Sequence, residues 1–530
     1  MPANSESSSP LSKWLDRGVL FCIVLIALFS PHSIAISQGG WLLGMVFWVA
    51  RLTVYPRPRL YRTPLDYALL GFFILSGLSA LFSYAPLVSI GKLRAASLFT
   101  VVYLVAENIR SPRLVRLLAL ALIVSCMANV FLTAGRLAVG KGVKVNGVSS
   151  ESPLAKAVYR TRTIIQPAPI VSGDIVWEVD NQRVSNPDEL AAALAADPKS
   201  PTAKVRIYRV EWMPTFEVPR GGLLPGSTSL EQLGIASWSR GRDWRAIGFF
   251  DHWTTYAEVL QLIASLALGL FLTVPAKRSA TAALLLLVQA GLLFALALTV
   301  TRASWVGFTV SAALMLLLSV SRRMVLLAGL CAIPLVLGGL LFLQHQRNVG
   351  LLDASDQSTT WRETVWREGF NLLISKPRHL LVGVGMDSIK SRWREWGLFD
   401  HGRLPPGHMH SDLLQIALER GVPALITWLI LLGLYARMLW HQLALKTVSA
   451  KATNGDVSSG LPGNMIVWLD QSSWIDRGIA LGALGGLAGF ITSGLVHYNW
   501  GDSEVVMVFY FIMGLAIALR LREPGAVATR

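Results

Sequence analysis

Apolar runs of about 17 to 25 residues, each long enough for an α-helix to cross roughly 30 Å of hydrocarbon, recur along the chain. They fall near residues 18–36, 39–54, 65–84, 88–106, 114–137, 252–274, 279–300, 303–320, 324–344, 424–440, 475–496 and 504–521. The pattern predicts a mainly α, polytopic membrane fold of about twelve spanning helices. Two long segments interrupt it, residues 138–251 and 345–412, and divide the chain into helices over 1–138, a small soluble domain over 139–212 and a second helical region over 213–530.

The first interruption alternates as strands do. Val143, Val145 and Val148 in GVKVNGV share one face; Ile175, Trp177 and Val179 in SGDIVWEVDNQRV share another, ahead of an Asp-Asn turn. An amphipathic helix in PDELAAALAA and a last strand in AKVRIYRV follow. This order, with SPLAKA before it, resembles a PDZ domain and implies an α+β insertion with a groove for an extended peptide, although residues 159–170 run longer than the usual pattern. A rigid spacer without a ligand reads equally well.

In the second interruption, STTWRETVWREGFNLLISKP puts Thr360 and Glu363 at capping-box spacing and ends on Lys376-Pro377, so a short interfacial helix is expected. Glu363 can pair with Arg367 one turn on. Arg362 has two readings, stacking on Trp366 or binding substrate. Further along, GHMHSDLLQIALERGVP starts a helix at Asp412, with Gln415 three residues later, and leaves His410 one or two residues outside the positive helix end. That end favours a neutral imidazole and attracts phosphate. Gly421 and Pro423 should bend the chain before the true span begins.

Composition places the bilayer as main solvent: 53% hydrophobic residues, 15% charged, mean hydropathy +0.50. The net charge of +16 is spread over loop ends rather than gathered with aromatics on one soluble face, which argues against nucleic acid. Cys22, Cys126 and Cys331 all lie in apolar runs, so neither a disulfide framework nor a cysteine-ligated metal is expected. The first apolar run, after Lys13 and Arg17, is too long for a cleavable signal peptide and reads as a retained span.

With the N-terminus in the cytoplasm, alternate loops hold Arg51, Arg57, Arg59 and Arg62; Arg110, Arg113 and Arg116; Lys277 and Arg278; Arg322 and Arg323. That satisfies the positive-inside rule and places both termini inside. The polar groups then expected on the outer side are Lys92 and Arg94, Arg245, Arg302, His408, His410 and Asp412, and His497, Asn499 and Asp502. Any one of these cations could simply snorkel to headgroups. Several from separate turns suggest an outward site for an anion and a proton acceptor. The His408, His410, Asp412 spacing also occurs in binuclear metal hydrolases, but this chain lacks the soluble α/β scaffold that would bring further ligands, so no metal is expected.

RDWRAIGFFDHW, LTVTRASWVGF, TWRETVWREGF with LLVGVGMDSI, and HSDLLQIALERGVPALI together resemble the O-antigen ligase and polymerase superfamily over roughly residues 240–435. Ser411 stands where the family usually has Asn, and the PDZ-like insertion is not a standard part of it. The resemblance implies a GT-C-like membrane glycosyltransferase of the bacterial inner membrane, with a periplasmic site and no cofactor or required metal. Its donor would be a glycan on undecaprenyl diphosphate, and its acceptor a lipid core, a protein or a growing chain. By the matching motifs, Arg245, Arg302 and Arg362 would hold the diphosphate and His410 would assist the acceptor hydroxyl; Lys92, Arg94, His408, Asp412 and His497 are further candidates. The chemistry of these side chains agrees, since guanidinium binds phosphate oxygens with several donors and a neutral imidazole suits base work.

Two other classes fit the sequence less well. A transporter or flippase would show paired half-chain repeats and midplane polar groups, which this sequence does not. An intramembrane metalloprotease needs H-E-x-x-H, and none of the nine histidines is followed by Glu.

Overall fold

The computed structural model describes residues 9–160, 165–197, 200–209, 213–242, 245–321, 357–452, 468–470 and 472–521, together with Arg323 and Gly338. They form two compact units, a helical one from residues up to Val130 and from Ile247 onward, and a second over Phe131–Ala246. The expected span at 324–344 lies outside the described residues.

The helical unit opens with α1 (Pro10–Phe29), α2 (Ile34–Thr53), α3 (Asp66–Leu81), α4 (Pro86–Ala96), α5 (Thr100–Asn108) and α6 (Pro112–Val139). α1 starts eight residues before its apolar run and turns back at Ser30–Ser33 rather than near Gln38. Its early charges are accommodated by pairing: Asp16 accepts from Arg51 of α2 at 3.0 Å and from Arg110 at 3.2 Å. A helix whose polar turn is neutralised this way extends beyond what hydropathy alone marks. Arg116, also buried, holds Asp476 through Nε and Nη2, each at 2.7 Å. Basic residues at loop ends thus tie helices together as well as carrying charge. Cys22 and Cys126 are buried.

The second unit is built on a sheet of β1 (Val143–Val148), β2 (Val158–Arg160), β3 (Ile165–Pro167), β4 (Ile175–Val179), β5 (Gln182–Arg183), β6 (Thr202–Tyr208), β7 (Thr215–Pro219) and β8 (Ile235–Arg240), with α7 (Pro187–Ala195) and α8 (Ser229–Leu233). The order is β3-β2-β7-β6-β4-β1-β8, with β5 on β4, and every pair is antiparallel. β7 and β8 lie beyond residue 212, and β8 completes the sheet against β1. Period-2 burial holds in β6, where Ala203, Val205 and Ile207 point into the core. It fails in β4, where Val176 is buried and Trp177 only half-buried, because the pairing with β6 shifts register between Val176 and Glu178. Trp177 instead carries the Lys141 ammonium over its ring at 2.9 Å.

Back in the helical unit, α9 (Trp253–Thr273), α10 (Ala280–Leu298) and α11 (Arg302–Ser319) are followed by α12 (Gln357–Ile374), α13 (Pro377–Val382), α14 (Ser388–Arg392), α15 (Leu398–Gly402), α16 (Asp412–Arg420), α17 (Val422–Ala452), α18 (Ser473–Gly494) and α19 (Ser503–Arg520). Eight helical stretches among the described residues are long and apolar enough to cross a membrane, fewer than the roughly twelve expected. α9, α18 and α19 are buried nearly all round, as a bundle centre requires. Glycines let them approach: a Cβ on Gly307 of α11 would stand 2.7 Å from the Gly489 carbonyl oxygen of α18. Ser265 and Ser311 share a hydrogen bond of 2.8 Å between α9 and α11.

Candidate functional site

The segment between α12 and α17 folds on its own apolar core, formed by Val365, Leu373, Val384, Phe399, Met409 and Leu418. α12 is already helical at Gln357, so Thr360 lies inside the helix and is not the cap its spacing to Glu363 suggests; the helix does stop before Lys376-Pro377, as expected. The Gly-Val-Gly of LVGVGM then runs alongside the end of α16: Val384 N–H donates to the Leu418 carbonyl at 2.8 Å and Gly385 N–H to the Glu419 carbonyl at 2.9 Å. Only glycine suits residue 383, whose φ is +71° and which lies against the backbone of Glu419. Ser79 of α3 donates to the same Glu419 carbonyl at 2.6 Å, anchoring the loop to the bundle.

α16 begins at Asp412 behind the N-cap residue Ser411 and ends at Gly421, after which α17 takes a new start at Val422. His410 therefore sits one residue before the cap, as expected, in a left-handed conformation with φ +47°. Two contacts hold the residue before it: Met409 N–H donates to Gln415 Oε1 at 2.7 Å, and Trp366 Nε1–H donates to the Met409 carbonyl at 2.7 Å. The His410 ring meets Trp361 edge-on at 4.8 Å and lies 6.2 Å from His497 and 6.4 Å from His408, centroid to centroid. Burial, with Arg362, His408 and His252 nearby, lowers its pKa to about 3. His408 is lowered to about 4, by burial first and then by Lys390. Both rings are neutral at physiological pH.

These rings open onto a cavity of about 560 Å³, within the size range of small-ligand sites. Its wall brings together His252, His408, His410 and His497 with the cations Lys92, Lys390 and Arg420. Lys92 and Lys390 share Asp387, at 3.1 and 3.3 Å. Burial opposes ionisation of Asp387, but the two lysines outweigh it and hold the carboxyl below its ordinary range. Arg420 is buried, its Nη1 reaching the Tyr498 hydroxyl at 3.3 Å and Glu419 at 3.5 Å. Glu419 also accepts from Asp387 N–H and Gln415 Nε2–H, both at 2.8 Å, while burial pushes its pKa up.

Of the residues singled out from sequence, the cavity thus gathers His410, His408, His497, Lys92 and Asp502. Asp412 does not line it. Its Oδ1 accepts from Trp500 N–H at 3.1 Å and its Oδ2 is buried beside Gly494, and burial raises its pKa well above the carboxylate range. Arg94 is exposed and absent from the lining. Arg302 is the first residue of α11, half-buried and not on the wall. Arg362, on α12, is also off the wall but close enough to His410 to depress it. Arg245 belongs to the second unit, where its backbone N–H donates to the Tyr208 hydroxyl at 3.2 Å.

Sequence inspection missed Glu258, Asp387, Lys390, Glu419 and Arg420. Glu258 is a carboxylate inside an apolar helix, and it accepts or shares a hydrogen bond with His497 Nδ1 at 3.0 Å while both are buried. A lone acid in a span is itself a functional signal, and that signal was available. The pairing with a histidine 239 residues away was not.

No curated protein matches the chain. Residues 284–429 match the family model described as O-antigen ligase, a stretch that contains Arg302, Arg362, His408, His410, Glu419 and Arg420. This likeness, over less than a third of the chain, supports a membrane glycan-transfer function.

Proposed function

We propose that this protein is a metal-independent glycosyltransferase that moves a glycan from undecaprenyl diphosphate to an acceptor on the periplasmic side of the inner membrane. The observation that carries the reading is the meeting of His408, His410 and His497 with Lys92, Lys390 and Arg420 on one cavity wall, His408, His410, Lys390 and Arg420 lying within the stretch that matches the O-antigen ligase model. Neutral imidazoles accept a hydrogen bond from an acceptor hydroxyl, and permanent cations stabilise a leaving diphosphate without proton transfer. Arg245, Arg302 and Arg362 are assigned to the diphosphate by resemblance, and Lys92, on the cavity wall, is assigned to it as well. The acceptor oxygen attacks the anomeric carbon in a single displacement with inversion, and the diphosphate leaves on its lipid. The second unit is assigned as a PDZ-like periplasmic domain that orients a partner peptide. Deleting residues 143–240, which keeps Arg245, and finding the product unchanged in cells would reduce it to a spacer.

His410→Ala tests the reading. Transfer should fall about 100-fold or more, with donor affinity little changed; a pure loss of donor binding would contradict the role given to the imidazole.

A further inference from the structure

Two of the four imidazoles on this cavity wall, His410 and His497, face opposite electrostatic surroundings. His410 is flanked by Arg362, His408 and His252, all of which disfavour a second ring proton. His497 has the Glu258 carboxyl against its Nδ1 at 3.0 Å, and both side chains are almost fully buried, at 10% and 3% exposure. A carboxylate on one ring nitrogen fixes the tautomer, turns the other nitrogen into the acceptor and stabilises the imidazolium once formed. Glu258 sits near the start of α9, while His497 follows α18 and stands 6.2 Å from the His410 ring. The other titratable groups around the pair are Asp412 and Asp502, with His252, Arg420 and Glu504 on the same wall as His497.

We infer that the Glu258–His497 pair is the general base of the transfer, with His497 the catalytic residue, Glu258 its positioning residue, and His410 a hydrogen-bonding group for the acceptor. The inference rests on the glycosyltransferase reading above. The acceptor O–H bond breaks and its proton passes to His497 Nε2. The oxygen's electron pair forms the new bond to the anomeric carbon. The bond from that carbon to the diphosphate oxygen breaks, and its electron pair leaves on the lipid diphosphate. Glu258 stays hydrogen-bonded to the His497 Nδ1–H throughout.

The test uses the full-length protein in liposomes with lipid-diphosphate glycan and a saccharide acceptor, comparing wild type with Glu258→Gln, Glu258→Asp and His497→Ala. E258Q and H497A should lower kcat at least 100-fold while the donor KM stays within threefold. E258D should recover part of the rate, and the acid limb of the E258Q pH profile should move to lower pH. Wild-type kcat with an unmoved acid limb in E258Q would overturn the inference, as would lost donor binding in E258Q and H497A, which would make the pair structural. Absence of transfer by the wild type to every acceptor would instead remove the underlying reading.

Discussion

Trp366 donates its indole N–H to the Met409 carbonyl oxygen at 2.7 Å, so a side chain on α12 fixes the peptide that leads into His410. Trp366→Phe removes that donor but keeps most of the ring. It should destabilise the protein by about 1 kcal/mol and lower transfer several-fold, with donor affinity unchanged. Thermal melting in detergent beside a transfer assay checks it, and unchanged values in both would show that His410 is held by other means.

Gly421 divides α16 from α17 at φ +86°, pressed against the Leu381 carbonyl. An added Cβ meets both an unfavourable backbone region and an occupied space. Gly421→Ala should therefore cost about 1 to 3 kcal/mol and lower Tm; an unshifted Tm would contradict the close packing of α13 on this turn.

His408 and His410 have pKa values pushed down to about 4 and about 3 from an ordinary 6.5. A lowered folded-state pKa means that the unfolded chain binds the proton first as pH falls. Their contribution is complete above about pH 6.5 and is lost progressively as pH drops through that value toward the folded-state values. Tm should decline over this window in wild type, and His408→Gln with His410→Gln should flatten the decline. A double variant with the wild-type slope would mean that other groups control acid stability.

Much of the fold is legible in the sequence because a membrane imposes one dominant constraint, an unbroken apolar stretch. The runs at 252–274, 279–300, 303–320 and 475–496 are found as α9, α10, α11 and α18 within a few residues. The start of α16 at Asp412 and the break at Gly421 are legible for a related reason, since cap and glycine chemistry is local. α1 is misjudged at its start because the Asp16–Arg51 pairing that neutralises its polar turn is tertiary. The same limit governs the site. His410 and Lys92 could be nominated from sidedness, but the ring neighbours that distinguish His410 from His497 arrive from α9, α12 and the segment before α16, and nothing in one sequence states which helices meet. In β4 a register shift overrides the alternation that places Trp177 beside Ile175.

The cations divide into those on the cavity wall and those off it, which makes their roles separable. Lys92→Ala with Lys390→Ala should raise the donor KM about tenfold, and the effect should shrink as salt rises. Arg302→Ala should abolish transfer while insertion remains normal, and Arg245→Ala should do the same if its assignment by resemblance holds. Wild-type turnover in both arginine variants would remove the diphosphate clamp.

The central claim is that glycan leaves a lipid diphosphate and joins an acceptor inside this cavity. Purified protein in liposomes, given undecaprenyl-diphosphate glycan and a panel of lipid-core, saccharide and peptide acceptors in a chelator, tests it by mass spectrometry. One acceptor should gain the mass of the intact glycan as free undecaprenyl diphosphate accumulates, about 100-fold more slowly in His410→Ala than in wild type. Donor that crosses the bilayer unchanged, with no acceptor gaining mass, would contradict the account.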